Sequence, residues 1–186
     1  MRRIITVICL LILLAGCGGN NAELDKAMTL RKNVISAEKC SFRASITAEY
    51  DDIIHSFDLK CETEKNHEML FEVVKPDTIA GITGKITQSD GMLTFDNEML
   101  AFALLIDGRL SPISAPWLML QMIKGGYIVA CGEEGDGAHI QLEDTYEGEK
   151  ILLDLYTDKH NKPIRADIIW NGMRSLSVVV SDFSIV

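Results

Sequence analysis

Over residues 40–95 and again over residues 127–180, short segments of alternating apolar and polar residues are separated by turn signals. A period of two residues is that of a strand with one buried face and one solvated face. The turns are short, so strands that follow one another are expected to pair antiparallel. Asn171 and Gly172 give the strongest of these hairpin signals. The pattern therefore predicts a mainly β fold built on an antiparallel sheet.

The same pattern sets the expected bounds of the strands. They cover residues 40–49, 53–61, 69–74, 85–88, 92–95, 127–131, 139–144, 151–156, 164–170 and 176–180. A further apolar run, residues 99–106, has no period that decides between strand and helix. The sequence indicates no internal repeat and no second domain.

A sheet with one buried face needs an element to cover that face, and two short helices are predicted. The first covers residues 22–35, where Asn20 and Glu23 resemble a capping box. Its apolar face carries one polar residue, Arg31. The second begins near Pro116, since proline suits the first turn of a helix, and it is apolar nearly all round. We therefore expect an α+β architecture, in which a curved antiparallel sheet or open half-barrel packs over two short helices.

The N-terminus has the features of an export signal. Arg2 and Arg3 precede an apolar run of about 11 residues, too short for a membrane span, which needs about 20. Residues 14–17 (Leu-Ala-Gly-Cys) then resemble the lipobox of bacterial lipoproteins. The resemblance implies cleavage before Cys17, acylation of its thiol with palmitate-type chains, and anchoring to the outer face of a bacterial cell membrane. A plain signal peptide and a buried N-terminal segment are the alternatives.

The chain accordingly divides into three parts. Residues 1–16 are the lipoprotein signal peptide, residues 17–21 are the lipidated cysteine and a tether, and residues 22–186 are a single domain. The signal holds two of the 18 basic residues and none of the 27 acidic ones, so the remaining chain carries a net charge of −11 with histidine neutral. This charge disfavours nucleic acid as a partner, and it disfavours anionic lipid headgroups.

The first predicted hairpin contains two cysteines, Cys40 and Cys61. A turn centred on residues 50–51 places Cys40 opposite Cys61 on one face of the two strands, at a separation of about 5 Å. A disulfide and a pair of buried reduced thiols are both compatible with this arrangement. Cys131 is free in either case.

No catalytic or metal site is predicted. The chain has four histidines without metal-ligand spacing, which are His55, His67, His139 and His160. His55 lies on the expected inward face, where a core histidine is the simpler interpretation. Ser36 and Lys39 match Ser-x-x-Lys, but the Ser-Asp-Asn and Lys-Thr-Gly motifs of that chemistry do not occur. The acidic cluster around Asp144 is interpreted as a solvated turn. We therefore expect a protein that is not an enzyme and needs no cofactor.

Several segments occur in an order similar to that of a known superfamily. Residues 71–77 (Phe-Glu-Val-Val-Lys-Pro-Asp), Gly81 and residues 90–95 (Asp-Gly-Met-Leu-Thr-Phe) follow the lipobox and the N-terminal helix. In this the chain resembles the outer-membrane lipoprotein carrier and its relatives, the LolA/LolB-like superfamily, over most of residues 22–186. It is most similar to the clostridial lipoproteins of the germination type, which share a cysteine placed like Cys40 and a segment like residues 76–81.

The resemblance implies an open barrel with an apolar cleft that holds acyl chains or a partner segment. In the germination branch the implied partner is a cell-wall amidase, and no enzymatic activity is expected. The cationic residue that the carriers use to hand over cargo has no counterpart that can be placed on this chain.

One segment, residues 99–123, carries large apolar side chains in short elements that glycine and proline interrupt. A helix that is apolar on every side must be covered on both faces, and methionines adapt to variable ligands. The candidate cleft or lid residues are Phe95, Phe102, Trp117, Leu118, Met119 and Met122. Core packing alone is the alternative. Two functions follow: binding of an apolar ligand or lipidated cargo, or interaction with a cell-wall or envelope enzyme.

Overall fold

Two α-helices and thirteen strands follow one another in the part of the chain that the computed structural model describes, namely residues 22–50, 53–64, 68–87, 91–95, 98–102, 105–106, 109–146, 148–170 and 172–186. The helices are α1 (Ala22–Ser36) and α2 (Ala115–Gly125). The strands are β1 (Lys39–Tyr50), β2 (Ile53–Glu64), β3 (Met69–Lys75), β4 (Thr83–Ile86), β5 (Gly91–Phe95), β6 (Glu98–Phe102), β7 (Leu105–Ile106), β8 (Arg109–Leu110), β9 (Tyr127–Glu134), β10 (Gly137–Tyr146), β11 (Glu149–Thr157), β12 (Pro163–Trp170) and β13 (Met173–Ile185).

Eleven of the described strands form one antiparallel sheet in the order β6-β5-β4-β3-β2-β1-β13-β12-β11-β10-β9, and β7 and β8 form a separate ribbon. The sheet is curved and does not close, so β6 and β9 are its edges. Every pair except β1 with β13 joins strands that are neighbours in sequence. The predicted fold class, an open antiparallel sheet with two helices, is confirmed.

The pairing of β1 with β13 joins the two halves of the sheet. The last residue, Val186, accepts a hydrogen bond from the Lys39 amide (3.1 Å) and donates one to the Lys39 carbonyl (2.9 Å). The register shifts between Ser41 and Arg43, and Asp182 opposite this bulge has φ 55°. Aspartate tolerates the left-handed region better than most residues, and the bulge turns the next side chain, Phe183, into the core.

The predicted element bounds agree with the structure where the pattern is strong. The first helix ends one residue beyond its predicted end, and the ambiguous run 99–106 supplies strands β6 and β7. The main differences are extensions. β9 continues to Glu134, and β13 covers residues 173–185 where only 176–180 were predicted, because both strands keep pairing beyond the part with a clear apolar pattern.

The predicted register of the first hairpin is wrong by two residues. Cys40 pairs with Thr63, and Cys61 pairs with Phe42. Both cysteines are buried and free, so the structure holds the reduced pair and not the disulfide. A diagonal offset of two residues separates Cα atoms by about 7–8 Å, beyond the usual disulfide distance. His55 pairs with the buried Ala48 and so lies on the inner face as predicted, but its side chain is exposed and does not belong to the core.

The two helices cover the inner face of the sheet over its second half. α1 packs against β9 and β10, and α2 packs against β10, β12 and β13, with the two helices also in contact. Arg31, the polar exception of the first helix, donates from Nε to the Ile123 carbonyl (2.8 Å) and from its terminal nitrogen to the Gly126 carbonyl. These carbonyls lie at the C-terminal end of α2, where backbone carbonyls have no hydrogen-bond donor within the helix itself. Burial lowers the pKa of Arg31.

Replacing Arg31 should destabilise the fold through these carbonyls. Arg31→Met keeps the length of the side chain but leaves both acceptors without their donor, and we expect the free energy of unfolding to fall by about 1–2 kcal/mol. Urea unfolding followed by circular dichroism measures this change. Lys32→Met, at an exposed neighbouring position, should change the stability by less than about 0.5 kcal/mol. Equal effects of the two substitutions would contradict the capping role.

The three cysteines of the described chain should differ in reactivity toward iodoacetamide, because the thiolate is the reacting form. Burial raises the pKa of Cys40 to about 11, with Lys124 acting in the opposite direction. Burial and then the neighbouring Cys40 raise the pKa of Cys61. Burial and then Glu23 raise the pKa of Cys131, which is only half-buried.

At pH 8 we expect Cys131 in the native protein to react at least about tenfold faster than Cys40, and Cys61 to react slowest. Raising the pH toward 11 should increase the alkylation rate of Cys40, because a thiol with a raised pKa forms the reactive thiolate only at high pH. Peptide mapping by mass spectrometry after timed alkylation gives the three rates. A peptide pair linked through Cys40 and Cys61 would contradict the reduced state.

Candidate functional site

The helix α2 is buried on nearly all sides, and the candidate site lies along the side that stays open. It follows a short 3-10 turn, Pro112–Ser114, in which the Ser114 hydroxyl donates to the Ser111 carbonyl (2.6 Å). The buried residues of α2 are Ala115, Pro116, Trp117, Leu118, Met119, Leu120, Met122 and Ile123. Gly126 ends the helix where a Cβ would lie 2.8 Å from the Met122 carbonyl oxygen.

A cleft of about 590 Å³ opens along one side of α2. We call it the α2 cleft. It is bounded by α2, by the C-terminal end of α1 and by the end of the β10–β11 hairpin. The lining residues are Ile35, Trp117, Leu118, Gln121, Met122, Lys124, Gly125, Asp144, Thr145, Tyr146 and Ile151. Its volume falls in the range of small-ligand sites, about 300–1,000 Å³.

The α2 cleft has an apolar floor and a polar rim. Trp117, Leu118, Met122 and Ile151 lie at the floor and are each no more than 5% exposed. The rim carries Lys124, together with Gln121, Asp144 and Thr145. Apolar walls with a few polar groups that fix the orientation of a ligand are typical of small-molecule sites.

Lys124 is the cation of this rim. It is half-buried, and burial lowers its pKa, with nearby Cys40 acting in the opposite direction. On the other side of the cleft, the Asp144 carboxylate accepts a hydrogen bond from the Thr145 amide (2.7 Å). No described carboxylate forms an ion pair with Lys124 within 4 Å, so its charge is available to an anionic group at the mouth.

Trp117 lines the α2 cleft, but its indole Nε1 is not accessible from it. This nitrogen is buried and has no hydrogen-bond acceptor among the described residues. A buried donor without an acceptor costs about 1–3 kcal/mol, so it is a local cost of packing α2.

The structure brings some of the predicted site residues together and separates others. Trp117, Leu118 and Met122 line the α2 cleft, whereas Met119 is fully buried and does not. Phe95 ends β5 and Phe102 ends β6, near the edge of the sheet opposite to β10 and β11. Their side chains, like the whole of Cys17, lie outside what the structure describes.

Several lining residues could not be identified from the sequence. Ile35 belonged to a predicted apolar helix face, and Asp144 to a predicted solvated turn, so each had a simpler interpretation. Both reach the α2 cleft because the β10–β11 hairpin ends beside the C-terminus of α1 and the middle of α2. Lys124 carried no local signal, since one lysine near a helix end is common.

The alternative chemistries receive no geometric support from the described residues. The Ser36 hydroxyl is exposed and donates to the Asn33 carbonyl (3.3 Å), while the Lys39 ammonium pairs with Glu62 (2.6 Å). The described part of the chain contains no group of histidine, cysteine and acidic side chains that could hold a metal ion. Neither of its helices is long and apolar enough to cross a bilayer.

A second concavity lies on the opposite face of the sheet. It has a volume of about 510 Å³ and lies over β2 to β6. Many of its lining side chains alternate with the core residues of these strands, among them Leu70, Met92 and Met99, with Lys60 and Glu72 beside them. We call it the outer trough.

No protein-family model matches this sequence, and no curated protein matches it. Solved structures match over most of the chain. A LolA superfamily protein from Nitrosomonas europaea is 11% identical, with 86% of this chain and 93% of that chain covered and a TM-score of 0.46. The lipoprotein LppX from Mycobacterium tuberculosis is 11% identical, with 89% and 96% covered and a TM-score of 0.42.

A chain in the structure of the CwlD amidase from Clostridioides difficile in complex with the GerS lipoprotein is 16% identical. The match covers 89% of this chain and 96% of that chain, with a TM-score of 0.42. The similarity of these proteins to the present one is a similarity of fold. The LolA superfamily, which the sequence was found to resemble, is represented among these structures.

Proposed function

We propose that this protein is an extracytoplasmic bacterial lipoprotein that binds the acyl chain of a lipid or lipidated cargo in the α2 cleft and catalyses no reaction. The observation that carries the proposal is the cleft itself, because it combines several hundred Å³ of space with an apolar floor and a lysine in its lining. An acyl chain matches the floor, and a carboxylate or phosphate head matches Lys124.

The second function considered from the sequence is interaction with a cell-wall or envelope enzyme. Such a partner role needs no internal space, so a cleft filled by the protein's own side chains would favour it. The open volume beside α2 favours the binding of a small apolar ligand instead.

The membrane location is proposed from the sequence. The lipobox-like residues 14–17 support acylation of Cys17, and a two-chain lipid anchor would give stable attachment. The anchor and the cleft are separate parts of the proposal and are tested separately.

Binding can be measured with 11-(dansylamino)undecanoic acid and its methyl ester, whose dansyl emission rises in an apolar site. Lys124→Met should weaken binding of the acid by about tenfold, which corresponds to about 1.4 kcal/mol. The methyl ester lacks the carboxylate charge and should bind the variant and the wild-type protein with equal affinity. A loss for both probes would contradict a charge-pairing role for Lys124.

A matched pair of tryptophan substitutions locates the probe. Gln121→Trp, at the half-buried rim of the α2 cleft, should reduce the affinity for both probes more than tenfold by filling the space. Met99→Trp places the same side chain in the outer trough, where Met99 is 66% exposed, and should leave both affinities unchanged. If Met99→Trp reduced the affinities and Gln121→Trp did not, the probe would bind in the outer trough and not in the α2 cleft. Absence of binding to any form would favour the partner role.

A further inference from the structure

A row of exposed apolar side chains runs along α1, outside the face that the helix buries. Leu24, Met28 and Ile35 are 36%, 50% and 56% exposed. Their spacing of four and eleven residues places them on one line along the helix surface. The buried face is formed by other residues, Ala27, Leu30 and Val34. We call the exposed row the α1 stripe.

The position of the α1 stripe in the chain indicates what it faces. The chain from Cys17 to Ala22 spans at most about 18 Å when fully extended, and Leu24 follows two residues later. A lipid on Cys17, as proposed above, therefore holds the first residue of the stripe near the bilayer surface. An exposed apolar row beside a membrane anchor has the lipid interface as its nearest apolar surroundings.

The other end of the stripe meets the binding site. Ile35 is both the last residue of the α1 stripe and part of the lining of the α2 cleft. At a rise of 1.5 Å per residue, Leu24 and Ile35 are about 16 Å apart along the helix axis. A helix that lies flat on the bilayer along this line brings the mouth of the cleft to the level of the headgroups.

Charge indicates the kind of lipid. The chain after residue 16 has a net charge of −11, which opposes anionic headgroups. By helical geometry the charged residues that flank the stripe are Asp25, Arg31 and Lys32, which are of both signs, and Arg31 donates its hydrogen bonds to carbonyls at the end of α2. A zwitterionic surface is therefore the matching one.

From these observations we infer that the α1 stripe rests on a zwitterionic lipid bilayer and holds the mouth of the α2 cleft at the headgroup level, where an acyl ligand can pass between membrane and protein. The inference rests on the proposed acylation of Cys17. It adds an orientation and a second, non-covalent contact with the membrane.

The test uses the acylated full-chain protein, extracted from bacterial membranes and reconstituted into phosphatidylcholine vesicles. Met28→Trp provides a reporter on the stripe, and Asn33→Trp provides a matched reporter at an exposed position on another side of α1. The native Trp117 and Trp170 are buried, at 4% and 5% exposure, and because a brominated chain bound in the α2 cleft would quench Trp117, the signal of the wild-type protein in the same vesicles is subtracted from that of each variant. Replacing the lipid by dibrominated phosphatidylcholine quenches tryptophans that reach the acyl region.

We expect at least twofold quenching of the Met28→Trp reporter and no significant quenching of the Asn33→Trp reporter. A second reporter, Leu24→Trp, should behave like Met28→Trp, and thermal unfolding should show that all three variants remain folded. Similar quenching at positions 28 and 33 would overturn the inference. A blue-shifted but unquenched signal at position 28 would also overturn it, because the stripe would then be covered by protein, a second copy or a partner.

Flotation of the vesicles separates this inference from the proposal on which it rests. If the wild-type protein does not float with the vesicles, the proposed anchor at Cys17 is contradicted, and the proposed orientation of α1 is contradicted with it. If the protein floats and the stripe reporter is not quenched, the orientation alone fails. Binding of the dansyl probe is read independently of both.

Discussion

The pairing of β1 with β13 is the contact on which the rest of the architecture depends. The strands from β1 to β6 and those from β9 to β13 each form a series of hairpins, and hairpin contacts need only short loops to close. Only the β1–β13 pairing joins the two series into one sheet. It makes the buried faces of both halves continuous, from Ala44 on β1 to Val180 on β13, and the helix α2 packs on this joined surface.

The α2 cleft follows from the composition of α2 and from the polar groups at its end. A helix with apolar residues on every side has to be covered on every side, and eight of the eleven residues of α2 are buried. Arg31 fixes the C-terminal end of α2 against α1. The three residues that are not buried, Gln121, Lys124 and Gly125, all line the α2 cleft, so the cleft opens where α2 is incompletely covered.

The strands and helices could be predicted from the sequence because period, turn residues and length all agree at those places. The two-residue error in the first hairpin has a physical cause. Alternation fixes which face each residue occupies, and a shift of two residues leaves that face unchanged, so Cys40 and Cys61 stayed on the inner face with the wrong partners. Phe95 and Phe102 were grouped with Trp117 because they are near it in sequence, yet the sheet order places their strands at the far edge.

The central place of β13 has a consequence for the order in which the sheet can form. β1 precedes and β13 follows every other described strand, so their pairing closes a long loop, whereas each hairpin on either side closes a short one. Contacts between segments so distant in sequence form slowly. Two separate series of hairpins are therefore expected to form first, and their unpaired edges, β1 and β13, can pair with other chains until they meet each other.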